Sequence, residues 1–192
     1  MAVQGAAGQV SGSARRDLLV AIATAKWTIS NAVVLVAGGQ VIGVGAGQQS
    51  RAEATRIACG KAETWWLRRH PAVRELPLRP GLSRPERDNV IDGYLRLSEM
   101  GETERRSWLT AFTSAPEPLT GDERSAWLAR LDGVAMASDG LIPFRDNIDR
   151  AARTGVRYVV HSGGSLRDDE VTAAAREHGI ALLASGYRQF LH

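Results

Sequence analysis

Short apolar runs alternate with amphipathic segments throughout the last third of the chain. The runs are rich in Val, Ile, Leu and Ala and are too short for helices, so they predict buried strands. Apolar residues in the intervening segments recur at helical spacing, and a glycine ends each segment. Strands that alternate with helices predict parallel pairing in a sheet covered by helices. The predicted strands are 134–137, 156–160 and 180–184, and the predicted helices are 145–153 and 167–178.

The first 70 residues carry a different pattern, in which a helix precedes two strands. The strands are almost continuously apolar and flank Gly38-Gly39, which predicts a β-hairpin buried on both faces. Ser50 stands three residues before Glu53 and predicts a capping box at the start of the next helix. The predicted elements are a helix over 14–28, strands over 32–36 and 40–44, and a helix from Arg51 towards Trp66.

Prolines and amphipathic helices set the middle of the chain apart. Four prolines fall within residues 71–86, which predicts an extended connector. Residues 87–131 predict two or three amphipathic helices, one of them starting at a capping box of Thr120 and Glu123. The fold class is therefore α/β. The predicted organisation is a disordered leader at 1–13 and one lobe over 14–192, with a helical insertion at about 84–131.

Composition narrows the class of protein. The chain has 192 residues, 44% of them hydrophobic, and a formal net charge of +3 with basic and acidic residues interspersed, which disfavours nucleic-acid binding. No apolar run approaches the ~18 residues of a membrane span. The one cysteine, Cys59, fits a reducing, cytoplasmic setting, and with only four scattered histidines the chain offers no metal-ligand cluster.

The candidate chemistry is concentrated where the strand at 134–137 ends. A Gly/Pro turn is followed by Phe144, Arg145, Asp146 and Asn147, which supply an apolar platform, a cation, a carboxylate and an amide. Ligands of open α/β sheets bind at the carboxyl ends of the strands. This segment therefore predicts an enzyme or a binding module for a flat, anionic small molecule. A carboxylate is also favoured as a cap near a helix start, so helix capping is the alternative role of Asp146.

Two glycine loops precede helices and predict anion sites of the same kind. Gly47 belongs to the loop before the helix at Arg51, and Ser162 and Gly163 belong to the loop after the strand at 156–160. Backbone amides and the helix dipole suit an anion at both places. The alternative is a pair of plain strand-to-helix turns. Taken singly, Asn31 also fits a turn, and Lys26, His161 and Arg188 fit ordinary surface positions.

Several motifs, in order and with a matching ending, resemble AICAR transformylase, the formyl-transfer part of a bifunctional purine-synthesis enzyme. The likeness runs from about residue 17 to His192. The motifs are Ser30-Asn31, the run from Val41 to Arg51, Lys61-Ala62, Trp65 to Arg68, Ser138-Asp139, Pro143 to Asn147, Asp149-Arg150 and Arg188.

The resemblance implies a three-layer α/β/α, cytidine-deaminase-like lobe. It implies 10-formyltetrahydrofolate as the formyl donor and an aminoimidazole carboxamide ribotide as the acceptor. Asn31 would lie near the reacting amine and formyl group, Arg51 and the Gly47 loop would line the site, and Arg188 would meet the phosphate of the acceptor.

The folate site also follows from the resemblance. Pro143 and Phe144 would flank the folate ring, Asp146 would bind its polar edge, and Asn147 would support Asp146. Asn89 matches a folate contact that comes from a neighbouring subunit in the family.

The chain departs from the family in two ways. Leu141 replaces a usual aromatic residue. Only the second of the family's two similar lobes is matched, and the Lys-His pair credited with proton transfer lies in the first. Lys26 and His161 are the candidate substitutes, and Lys26 joins Asn31 and Asp146 as a candidate catalytic residue.

Two functions follow as hypotheses. The first is a shortened formyltransferase that acts on the ribotide or a related amine, either as a homodimer or with a separately encoded first lobe. The second is a non-catalytic subunit that binds folate or a nucleotide and needs such a partner.

Overall fold

The computed structural model describes residues 2–3, 10–188 and 190. It divides into two compact units, one formed by Met1–Glu63 with Ala129–His192 and the other by Thr64–Leu128. Within the described residues, no helix combines the length and the apolar character needed to cross a bilayer.

The elements of the chain follow one another in an order close to the sequence prediction. In chain order they are β1 (Ala2–Val3), α1 (Gly12–Lys26), β2 (Val33–Ala37), β3 (Gln40–Gly45), α2 (Arg51–Leu67), α3 (Pro71–Arg74), α4 (Arg84–Leu95), a 3₁₀ turn (Leu97–Glu99), α5 (Glu102–Leu109), α6 (Gly121–Leu128), β4 (Val134–Ser138), α7 (Asp146–Arg153), β5 (Val156–His161), α8 (Asp168–Glu177) and β6 (Ala181–Ala184).

The first unit is built on a mixed, open sheet with the strand order β1-β6-β5-β4-β2-β3. Strands β4, β5 and β6 pair in parallel, which confirms the prediction from the alternating pattern. Strand β2 pairs antiparallel with both β3 and β4. The two residues of β1 add an antiparallel edge beside β6, and α1 begins at Gly12. Much of the predicted leader at 1–13 lies outside the described residues.

The predicted β-hairpin is confirmed. Ala37 pairs with Gln40, and Gly38 and Gly39 between them have φ angles of 60° and 79°. A two-residue turn with positive φ at both central positions matches the right-handed twist of the flanking strands. Asp17, buried on α1, accepts hydrogen bonds from both glycine amides at 2.8 and 2.7 Å. The turn is thereby tied to the helix that covers the sheet.

Helices cover both faces of the sheet. On one face, α1 packs Leu18, Ala21 and Ala25 against alternate residues of β2, β4, β5 and β6. On the other face, α2 approaches β3 so closely that a Cβ at Gly43 or Gly45 would collide with an α2 backbone carbonyl. Helices α7 and α8 contact β5 and β6. The buried faces explain why these strands lack the polar alternation of a half-exposed sheet.

The second unit is a small helical cluster with its own core. Leu67, Val73, Tyr94 and Leu95 form that core. The capping box of Thr120 and Glu123 is confirmed, with both of its hydrogen bonds present at 2.9 and 3.2 Å.

One local prediction in this region is wrong. The proline-rich segment 71–86 is not extended throughout, because Pro71 and Pro85 each stand in the first turn of a short helix. Proline is tolerated there because the first helical amides have no intrahelical partner.

Candidate functional site

A cavity of about 420 Å³ opens in the first unit at the carboxyl end of β4. Four separate segments form it: the residues before β2, the start of α2, the turn after β4 and the end of the chain. They meet because β2 is antiparallel to β4, so the start of one strand lies beside the end of the other, with Val33 opposite Ser138. The lining residues are Ser30, Asn31, Gln49, Ser50, Arg51, Gly140, Leu141, Pro143, Arg188 and Phe190.

Asn31 enters the cavity wall from the segment before β2. Its Nδ2 donates to the carbonyl of Gln48 at 2.8 Å, and the two backbones exchange hydrogen bonds at 3.2 and 3.4 Å. These bonds join the segment before β2 to the loop after β3. The carboxamide is therefore held in one orientation at the wall of the cavity.

Arg51 is a buried cation at the back of the cavity. Its Nη1 donates to the carbonyl of Ala32 at 2.8 Å and forms an ion pair with the fully buried Asp139. A Cβ at Gly140 would lie 2.9 Å from Nη2, so the turn after β4 comes close only because that residue is glycine. Among the described residues, Nε of Arg51 and Oδ2 of Asp139 have no hydrogen-bond partner. Buried polar atoms of this kind are usually paired, and of these two residues only Arg51 lines the cavity.

The Phe144–Asn147 corner is held together by the buried Asn147. Its Oδ1 accepts from the hydroxyl of Thr55 on α2 at 2.8 Å, while Nδ2 donates to the carbonyl of Phe144 at 3.2 Å and to Oδ1 of Asp146 at 2.7 Å. Asp146 and Phe144 are exposed, and Pro143 lines the cavity. One amide thus fixes an exposed carboxylate and an exposed ring beside the cavity.

Arg145 is not an available cation, although the sequence placed it in this cluster. Its guanidinium donates to Asp149 at 3.0 Å and to Glu177 at 2.7 Å, and Asp149 also contacts Nε2 of His178 at 2.8 Å. The hydrogen bond from Arg145 holds the pKa of Asp149 below its ordinary range and, in return, raises the pKa of Arg145. Arg145 therefore joins α7 to α8. Arg188, which lines the cavity and is exposed, is better placed to meet an anion.

The loop after β5 already holds a carboxylate of the chain itself. The amides of Gly164 and Ser165 donate to Asp168 at 2.8 and 3.2 Å, so an anion bound there would have to displace that side chain. Ser162 donates its amide to the carbonyl of Gly140 at 3.4 Å, and Gly163 has a φ angle of 71°. Ser162 thus supports the turn that lines the cavity, and neither Ser162 nor Gly163 is among the lining residues.

Three further candidates lie outside the cavity lining. Gly47 donates its amide to the carbonyl of Ile29 at 2.7 Å. Lys26 is exposed at the end of α1, with Nζ 5.4 Å from the centroid of the Trp27 ring. Asn89 is exposed on α4 in the second unit.

His161 is buried, and the prediction of a surface position is wrong. Only 1% of the residue is exposed, and neither ring nitrogen has a hydrogen-bond partner within the described part of the chain. Burial lowers its pKa, an effect that the charge of Asp168 partly opposes. The missed signal is its place in the strand, because His161 is the last residue of β5 and directly follows two buried valines, Val159 and Val160.

No group of three or more His, Cys, Asp or Glu side chains that could hold a metal ion occurs among the residues that the structure describes. The cavity instead combines amides, guanidinium groups and apolar surface. The fold and the site together define a mixed α/β domain with a cavity of polar and apolar lining at the carboxyl end of β4, the place where ligands of open α/β sheets bind.

Sequence comparison assigns this domain to a family. Residues 3–61 match the AICARFT/IMPCHase bienzyme family. The bifunctional purine biosynthesis protein PurH of Magnetococcus marinus is 35% identical over 178 residues, which cover 92% of this chain and 23% of that protein. PurH of Xylella fastidiosa is 34% identical over 178 residues, 93% of this chain and 22% of that protein.

The chain therefore carries an AICARFT/IMPCHase-type domain and is homologous to part of PurH, which confirms the resemblance. It spans less than a quarter of the length of these relatives, an extent consistent with a single lobe.

Proposed function

We propose that this chain is the second, cytidine-deaminase-like lobe of an AICAR transformylase-type enzyme. In this function it binds a reduced folate and a nucleotide-like amine and takes part in formyl transfer between them. The observation that carries the proposal is the cavity. It brings together Asn31, Arg51, Pro143 and Arg188 from four segments, and these are residues to which the family resemblance assigns ligand contacts.

Each side chain has a chemistry that suits its proposed role. Pro143 and Phe144 offer apolar surface to the pterin ring of the donor, and Asp146 accepts hydrogen bonds from its polar edge. Arg188 pairs with the phosphate of the acceptor, because a guanidinium matches phosphate geometry. Arg51 supplies a second cation, and Asn31 orients the amine against the formyl carbon.

Formyl transfer itself needs proton handling. The lone pair of the amine attacks the formyl carbon, an oxyanion forms, and N10 of the folate leaves with the C–N electrons and takes a proton, while the attacking amine loses one. His161 is buried outside the cavity lining, and Lys26 is exposed outside it. Because neither candidate among the described residues lines the cavity, the proposal takes the proton donor and acceptor from outside it, either from a second copy or from a separately encoded first lobe.

The size of the cavity supports the same conclusion. Pockets for drug-sized ligands measure roughly 300–1,000 Å³, and this one measures about 420 Å³. It suits one of the two substrates rather than both. A partner surface would complete the site. The proposed location of the protein remains the cytoplasm, which we infer from its single cysteine.

The test is binding measured separately from turnover. Calorimetric titration of the chain with 10-formyltetrahydrofolate should show saturable binding, and Asp146→Ala should weaken it about tenfold, the effect of losing a charge-assisted hydrogen bond. Asp122→Asn, an exposed change on α6 in the second unit, is the control. An unchanged dissociation constant for Asp146→Ala would contradict the assigned folate site.

A formyl-transfer assay separates the two functions that remain. The chain is assayed alone and with the remaining transformylase segment of the Magnetococcus protein, using the ribotide as acceptor. Turnover in either mixture supports the enzyme. Binding of folate and ribotide without turnover in both mixtures supports the alternative, a non-catalytic binding subunit.

A further inference from the structure

Arg167 stands at a position that helix stability does not explain. It precedes α8 at the N-cap and makes no side-chain capping bond, and Asp168, Asp169 and Glu170 follow it in the first turn. The N-terminal end of a helix carries a partial positive charge, which favours the three acids and disfavours a cation. The role of Arg167 must therefore be sought in what its side chain contacts.

The guanidinium of Arg167 covers the ring of Phe144. Its Cζ lies 4.9 Å from the ring centroid, and 46% of Phe144 is exposed. Arg167 also forms an ion pair with Glu170 at 3.5 Å, and both side chains are largely exposed. Exposed ion pairs contribute little to stability, so another carboxylate is able to replace Glu170 as the partner. Arg145, the other arginine beside Phe144, is already held by Asp149 and Glu177.

We infer that Arg167 binds the carboxylate tail of the ligand whose ring lies against Pro143 and Phe144. The inference rests on the proposed function, in which that ligand is a folate with two carboxylates in its glutamate tail. A planar cation beside an exposed aromatic ring offers a stacking surface and a bidentate carboxylate partner together. Glu170 occupies the guanidinium until the ligand carboxylate replaces it.

Two probes isolate the contact. One is 10-formyltetrahydrofolate, and the other is its diamide, in which both tail carboxylates are carboxamides and the rest of the molecule is unchanged. Arg167→Gln should weaken binding of the acid about tenfold and leave the diamide unaffected. Glu170→Gln, which removes the competing carboxylate, should tighten binding of the acid about two- to fivefold. Arg176→Gln, at the other end of α8, is the matched control and should change neither affinity.

Each outcome has one meaning. Equal weakening of both probes by Arg167→Gln would show that the residue only packs on Phe144, and would overturn the inference. An unchanged affinity of Arg167→Gln for the acid would overturn it as well, while leaving the folate proposal intact. If the unaltered chain binds neither probe, the proposed function fails and the inference fails with it. Thermal unfolding of each variant checks that a weakened affinity does not come from a loss of fold.

Discussion

Single side chains decide which parts of the candidate site are fixed and which are open to a ligand. Asn147 saturates its amide inside the protein, with Thr55, the Phe144 carbonyl and Asp146 as partners. That arrangement leaves Asp146 exposed. The sequence shows that residues 144–147 combine a ring, a cation, a carboxylate and an amide, but it does not show which of these groups are paired and which stay exposed. The pairing of Asn147 depends on Thr55, which lies 92 residues away in the chain.

Arg145 and His161 show the same limit. A local pattern gives the position of a charge relative to its helix or strand, but the partner of Arg145 on α8 exists only after α7 and α8 have packed. The burial of His161 likewise depends on the covering of β5. The sequence therefore indicated where these polar residues lie along the chain, but it did not show that Arg145 is already paired or that His161 is buried.

The burial of His161 leads to a prediction about pH. Its pKa in the folded chain lies below the ordinary value, so the unfolded chain binds more protons as the pH falls. The free energy of unfolding should therefore be largest above about pH 6.5 and should decrease as the pH falls from there towards the folded-state pKa. Urea unfolding at several pH values between about 7.5 and 5 measures this pH dependence, because that range brackets the titration of an unperturbed histidine.

A substitution identifies the group responsible. His161→Leu replaces a buried polar ring that has no hydrogen-bond partner among the described residues, so at neutral pH it should be as stable as the unaltered chain or more so. Between pH 7 and 5 the free energy of unfolding of His161→Leu should depend much less on pH than that of the unaltered chain. His178→Gln is the control, and it should keep the pH dependence that His161 causes. A pH dependence that survives in His161→Leu would assign the effect to another group.

At the scale of elements, the backbones of β3 and of the part of α2 from Ala54 to Ala62 approach each other closely. Gly43 and Gly45 leave room for α2 on one face of β3, while Val44 packs on the side of α1. The apolar pattern of the hairpin and of the last third was sufficient to predict five strands, because each run is bounded by glycine or proline. The two-residue β1 and the single turn of α3 were not predictable, since neither is long enough to carry a period.

A pair of glycine substitutions tests this packing. Gly45→Ala places a Cβ against the backbone carbonyl of Ala54, which cannot rotate away, so it should destabilise the chain by at least about 2 kcal/mol. Gly60→Ala, within α2 itself, meets nothing within 4 Å and should be neutral or stabilise by up to about 1 kcal/mol. Chemical denaturation of both variants is the measurement, and equal stabilities would contradict the close approach.

At the scale of the whole molecule, the family could be predicted from the order of several motifs. Those that contain Asn31, Arg51, Pro143 and Arg188 contribute residues to the cavity lining, and Lys61-Ala62, Trp65 to Arg68 and Asp149-Arg150 do not. The completeness of the site could not be predicted. If the proposed function holds, the proton-transfer group belongs to another lobe and leaves no trace in this sequence. What the structure adds is that Lys26 and His161 both lie outside the cavity lining.

The homodimer form of the proposal makes a quantitative prediction of its own. Lys26 is exposed on the first unit, so in a dimer it is able to serve the cavity of the other copy, whereas Arg188 serves its own. Each variant should then be inactive alone, because Lys26→Gln lacks the proton-transfer group and Arg188→Ala lacks the phosphate-binding group. In a mixed dimer, the cavity of the Lys26→Gln copy keeps Arg188 and receives Lys26 from its partner. An equal mixture should therefore recover about a quarter of the unaltered activity, because half of the dimers are mixed and one of their two sites is complete.

Native mass spectrometry of the mixture verifies that mixed dimers have formed. If they form and no activity returns, the second copy does not supply Lys26 and the homodimer route fails. Activity that appears only when a first-lobe polypeptide is added would then identify that polypeptide as the source of the proton group.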